Sequence, residues 1–139
     1  MSGSRPLAPP TGQAPPASAR LQGRRIALIP LAEAIADRYF EEFPEDLERY
    51  APAARDWEVH DTAWCLHWAF LDVDGFASLA REIGWLTNVL GSRGFPLEHL
   101  ARNLELAGDV VAELVAGAGE VTERLHAAAA QVRAASSSA

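Results

Sequence analysis

Residues 57–68 read WEVHDTAWCLHW, and this stretch decides the fold. It holds three of the four tryptophans, two of the four histidines and the single cysteine. At about 100° per residue, Trp57, His60, Trp64, His67, Trp68 and Leu71 fall within one arc of a helix, and Val59, Ala63, Leu66 and Phe70 widen it. The polar remainder is Glu58, Asp61, Thr62, Cys65 and Asp72. A helix so arranged is covered over most of its circumference, either by a packed core or by a pocket wall.

Working outward, the same helical period continues on both sides. Leu31, Ile35 and Tyr39 recur at i, i+4, i+8 behind a first-turn proline, Pro30. Pro44 and Pro52 bracket a short segment at 45–51 with room for one or two helical turns, and a helix is expected from about 53 to 71. Asp72-Val73-Asp74-Gly75 forms a tight connection with Asp74 as candidate N-cap. Phe76, Leu79, Ile83, Leu86 and Leu90 mark another helix that Gly94 stops. Leu97, Leu100, Leu104, Val111, Leu114 and Val115 define the next, and Val121, Leu125 and Val132 a last one beyond Gly117-Ala118-Gly119. No strand-like alternation is evident. The expectation is an all-α bundle of four to five helices with short loops, a single domain over 23–135. Five of the nine prolines lie in residues 1–22 among Ser, Gly, Ala and Thr, a composition expected to leave a disordered tail. Residues 136–139 should fray.

Composition narrows the function. All twelve basic residues are arginine, which fits a GC-rich bacterial coding sequence, and the net charge is −7. A nucleic-acid partner needs a basic stripe to displace counterions, and these arginines are scattered among carboxylates. No apolar run reaches the roughly eighteen residues of a membrane span. One cysteine excludes an internal disulfide, and Pro30 and Glu33 interrupt the short apolar run behind Arg24-Arg25, so a cytoplasmic location is expected.

The chemistry-bearing residues form no complete catalytic or metal signature. His60 and His67 stand seven residues apart, about 10 Å along a helix, too far to share one ion. Cys65 falls on the polar side beside Asp61, where a carboxylate raises a thiol pKa. Glu41, Glu42, Glu45, Asp46 and Glu48 read as a solvated acidic face. Glu123 and His126 make a single Glu-x-x-His with no second copy.

Residues 76–104, FASLAREIGWLTNVLGSRGFPLEHLARNL, carry a skeleton of Trp85-Leu86, Val89-Leu90, Arg93-Gly94, Pro96 and Leu100. This skeleton resembles the small helical-bundle domain that precedes the B12-binding domain in bacterial cobalamin-binding regulators and sensors, over about residues 56–106. The Asp-x-His-x-x-Gly motif of the lower cobalt ligand is absent, and Trp57 precedes Glu58 and His60 at a different spacing from the family's Trp-x-x-x-Glu-His. What the resemblance implies is the bundle and its regulatory use.

The sequence therefore leads to a non-enzymatic regulatory module acting through a protein partner or a homodimer, with no resident cofactor. Trp57, Trp85, Arg93 and Phe95 are its candidate partner-binding residues, because Trp and Arg dominate interface hot spots. The alternative is a sensor holding haem or cobalamin in a pocket lined by His60, His67, Trp64 and Trp68, with one histidine as axial ligand.

Overall fold

A computed structural model describes Pro10 and residues 12–137. Helices dominate: α1 (Leu28–Glu42), α2 (Pro44–Arg49), α3 (Ala54–Val73), α4 (Leu79–Ser92), α5 (Leu97–Leu114) and α6 (Gly119–Ser137). The four-to-five-helix, all-α expectation needs two corrections among the described residues. Residues 44–49 form a sixth helix, α2, and an antiparallel hairpin precedes α1, with β1 (Ser18–Leu21) paired to β2 (Arg24–Ala27).

The hairpin turn holds Gln22 at φ 52° and Gly23 at φ 79°. Two central residues with positive φ match the right-handed twist of the flanking strands, so the four-residue strands can pair. Leu21 is buried in the core, and the Leu28 amide donates to the Ala17 carbonyl at 2.9 Å. Residues 18–22 of the expected tail thus belong to the hairpin. Residues 1–9, 11, 138 and 139 lie outside the described residues, with that part of the tail and the last two positions of the fraying end.

α5 buries more of its residues than any other helix. Leu100, Ala101, Leu104, Ala107, Val110 and Val111 are buried along it. α6 packs closely against it through Val121, Leu125, Ala128, Ala129 and Val132. Small residues at that seam let the two backbones approach. Around the rim, Arg133 of α6 meets Glu98 and Glu105 of α5, and Arg102 of α5 meets Glu42 of α1.

α3 packs on α1 with a different face from the one its hydropathy suggests. Its fully buried residues are Ala54, Thr62, Ala63, Cys65, Leu66, Ala69 and Phe70, whereas Trp57, His60, Trp64, His67 and Trp68 are only half-buried. Bulk explains the rotation: alanine, threonine and cysteine admit a neighbouring helix closely, and the indoles lie along the flanks. Cys65 is accordingly buried, not on a solvated side.

The α3–α4 connection also differs in detail. Asp74 is the C-cap of α3, and Ser78 is the N-cap of α4, its hydroxyl accepting from the Arg81 amide at 3.2 Å. Asp72 accepts from the Leu79 amide at 2.7 Å.

At the other end of α4, Gly94 takes φ +78° while the Phe95 amide donates to Leu90 at 3.0 Å and the Gly94 amide to Gly91 at 3.1 Å. These two bonds close a Schellman motif, which sets the path of Phe95 and Pro96. Gly94→Ala should therefore cost about 1–2 kcal/mol, since an L side chain is strained in the left-handed region. Gly91→Ala should instead stabilise by up to about 1 kcal/mol through helix propensity. A methyl there meets the Leu97 side chain only at ordinary contact, 3.7 Å. Urea unfolding of the two variants checks this opposition in sign.

Candidate functional site

Between α1, α2, α3, α4 and the start of α5 lies a cavity of about 340 Å³. That is at the lower end of the range typical for small-molecule sites. Its apolar wall comes from Phe40 of α1, Tyr50 beyond α2, Leu86 and Leu90 of α4, and Phe95 and Leu100 at the α4–α5 corner. Trp57, in the first turn of α3, contributes an indole.

The polar lining is concentrated on α2, α3 and α5. Pro44 starts α2 directly after Phe43, and this tight turn swings Asp46 inward. Asp46 is 1% exposed. Its Oδ2 accepts from the Tyr39 hydroxyl at 2.5 Å and lies 2.8 Å from His99 Nδ1. The His99 ring stacks on Phe43 at 3.9 Å between centroids and meets Phe95 edge-on at 6.3 Å. α1, α2 and α5 are thereby joined through one carboxyl group. Burial and the Asp46 contact push the Tyr39 phenol well above its ordinary pKa.

A second chain runs across the cavity from α3 to α5. The Thr62 hydroxyl donates to Glu58 Oε2 at 3.0 Å and accepts from Asn103 Nδ2 at 3.0 Å. Glu58 keeps part of its surface open to the cavity, yet its carboxyl lies deep in the protein. Burial pushes its pKa up to about 8, Asp61 and Asp46 adding to the rise, while the Thr62 hydroxyl opposes it. Asp61 is also raised by burial, against its contact with His60, whose Nδ1 lies 3.0 Å from Asp61 Oδ1. Burial, with Asp61 and Glu58 nearby, drives the Cys65 thiol far above its usual range and so removes it as a nucleophile.

Two acceptors on this lining are left over. Asp46 Oδ1 and Asn103 Oδ1 are buried and have no hydrogen-bond partner. Buried acceptors nearly always find a donor, so these two oxygens, on residues that line the cavity, are exceptions in its polar network.

The sequence-derived site residues separate into two groups. Trp57, Arg93 and Phe95, singled out as partner-binding residues, line the cavity. Trp85 does not; it is 58% exposed on the outer side of α4. His60, His67, Trp64 and Trp68 lie outside the cavity lining, along a flank of α3. There Trp57 meets His60 edge-on, and Trp64 meets His67 in the same way, both at 5.6 Å. His67 Nδ1 is buried without a partner, and burial lowers its pKa.

Sequence reasoning passed over Asp46, Glu58 and Asn103. The acidic face around Pro44 is solvated only in part, because Asp46 is buried. Asn103, set between Leu100 and Leu104 on a leucine-rich helix, was the signal available for a buried polar network. No known protein family matches the chain, and neither a curated protein nor a solved structure is detectably similar to it.

Proposed function

We propose that this protein is a non-enzymatic regulatory module whose bundle holds a small ligand in the cavity between α1, α2, α3, α4 and α5. One observation carries the reading. An aromatic-walled cavity is lined by Asp46 and Asn103, each carrying a buried acceptor without a partner, an arrangement of apolar body and few polar anchors that small-molecule sites share. The inert Cys65 thiol supports binding over covalent chemistry.

The test is amide chemical-shift mapping of the whole chain against a mixture of small aromatic and aliphatic fragments. Saturable shifts clustering on Trp57, Glu58, Leu90, Phe95 and Asn103 are expected. Shifts scattered over the surface, or none, would sink the reading. Haem or cobalamin ligated by His60 or His67 would have to sit on the flank of α3, since neither ring lines the cavity. A Soret band, or a shifted cobalamin spectrum, abolished by His67→Ala would move the ligand site there.

A second reading, docking of a protein partner or a second copy, is favoured by the exposure of Trp85, whose neighbour Leu86 lines the cavity. α4 then has one side on the ligand and the other on the partner, a route from occupancy to output. Sedimentation of the free and ligand-bound protein, with Trp85→Ala as control, tests it. Self-association lost in the variant is the expected result.

A further inference from the structure

The lining has a charge bias that narrows the ligand class. Three carboxyl groups, Asp46, Glu58 and Asp61, line the cavity against two basic residues among the described ones, Arg93, exposed at the rim, and His99, held on Asp46. The two unpartnered atoms are both acceptors, which favours a ligand that brings donors. Their residues are linked through α5. Asp46 is held against His99, and Asn103 is four residues further along α5, one helical turn away on the same face. Trp57, Tyr50 and Phe95 border the same space, and the faces of aromatic rings attract cations.

We propose that the cavity takes a compact organic cation, a primary ammonium on a short apolar or aromatic body. Its N–H groups are donated toward Asp46 Oδ1 and Asn103 Oδ1, and its body packs against Trp57, Tyr50 and Phe95. This assignment rests on the ligand-cavity reading above and adds the sign of the ligand's charge. An ammonium supplies up to three donors to acceptors that now have none. It also offsets the cost of burying Asp61 and Glu58 so near one another, since both are held above their ordinary pKa values mainly by burial. An anion would meet three carboxyl groups and would leave both acceptors unmet.

A bare metal ion is the rival occupant. Glu45, Asp46 and His99 bring ligand atoms within 4.8 Å of one another, but Glu45 is exposed, and Asn103 and the aromatic wall would have no part in such a site.

The experiment is calorimetric titration of the full chain at pH 7.5 with three probes of one shape: phenethylamine, phenethyl alcohol and phenylacetate. The amine is expected to bind at least about tenfold more tightly than the alcohol, and phenylacetate more weakly than either. Asp46→Asn and Trp57→Leu, each checked for a folded circular-dichroism spectrum, should each reduce amine affinity by about fivefold or more, and by a larger factor than they reduce alcohol affinity. Equal binding of amine and alcohol overturns the cation assignment and leaves the ligand-cavity reading standing. Absence of binding by all three, joined to an empty fragment map, overturns both. Zinc binding that needs Glu45, Asp46 and His99 and excludes the amine would give the site to a metal and overturn the proposal.

Discussion

Asp46→Ala should lower stability by about 2–4 kcal/mol, because it leaves two donors without a partner, at about 1–3 kcal/mol for each buried group so orphaned. The Tyr39 hydroxyl is the costlier of the two, since Tyr39 is 3% exposed and loses the acceptor of its hydroxyl, while His99 retains some access to solvent. Asp46→Asn should recover most of the loss, since an amide oxygen still accepts from Tyr39. Removing both ends separates this network from mere side-chain volume. Tyr39→Phe with Asp46→Ala should cost less than the sum of the single changes, the signature of a direct contact in a double-mutant cycle. Urea midpoints at unchanged slope measure all four proteins. A single-variant loss under about 0.5 kcal/mol, within the range of an ordinary surface change, would mean that Asp46 does not join α1, α2 and α5.

That Asp46 should matter so much was not legible in the chain, and the reason is physical. Helix boundaries could be read because Pro30, Gly94 and the leucine periods act locally, and their effects follow from neighbours in sequence. Burial of Asp46 depends on Pro44 breaking the chain after Phe43 and on His99, fifty-three residues away, waiting on another helix. Charge pattern alone makes Glu45 and Asp46 equivalent; the fold buries one and exposes the other. The reading of α3 went astray for a related cause. Clustered indoles suggest a covered face, yet the residues of α3 that are fully buried are the smaller Ala63, Ala69, Thr62 and Cys65 with Leu66 and Phe70, and the indoles lie along the flanks. Trp57 still reached the cavity because it sits in the first turn, beside the α4–α5 corner. The hairpin was missed because its strands are four residues each and Gln22-Gly23 is a weaker turn signal than Asn-Gly.

The stability of the protein should fall as pH rises from about 5 to 8, and Glu58 is the group responsible. Its pKa in the folded protein, about 8, lies above the ordinary 4.5, so across that interval the folded state holds a proton that the unfolded chain has released. Stability from this group is complete below about 4.5, declines through the interval, and levels above about 8, with a slope of at most about 1.4 kcal/mol per pH unit for one proton. Asp61 and Asp46 face Glu58 and deepen the effect, and Arg55 opposes it. Asp61, itself raised by burial, adds a slope of the same sign. His67, lowered by burial, contributes in the opposite sense at the acid end. Arg93, His99 and Tyr39 face the same cavity and are common to both proteins compared. Glu58→Gln isolates the one proton, since the amide still accepts from Thr62 but cannot ionise. The variant should match the parent near pH 5 and become progressively more stable than it by pH 8, measured by urea unfolding at each pH. A constant difference across that range would place ionisation of Glu58 near 4.5 and mean that the cavity is wet enough to solvate it. A bound ammonium should reverse the balance: by favouring the ionised carboxyl it expels the Glu58 proton. Amine binding near pH 7 would then release a proton in the parent and none in Glu58→Gln, a difference read from titration heats in two buffers of unlike ionisation enthalpy.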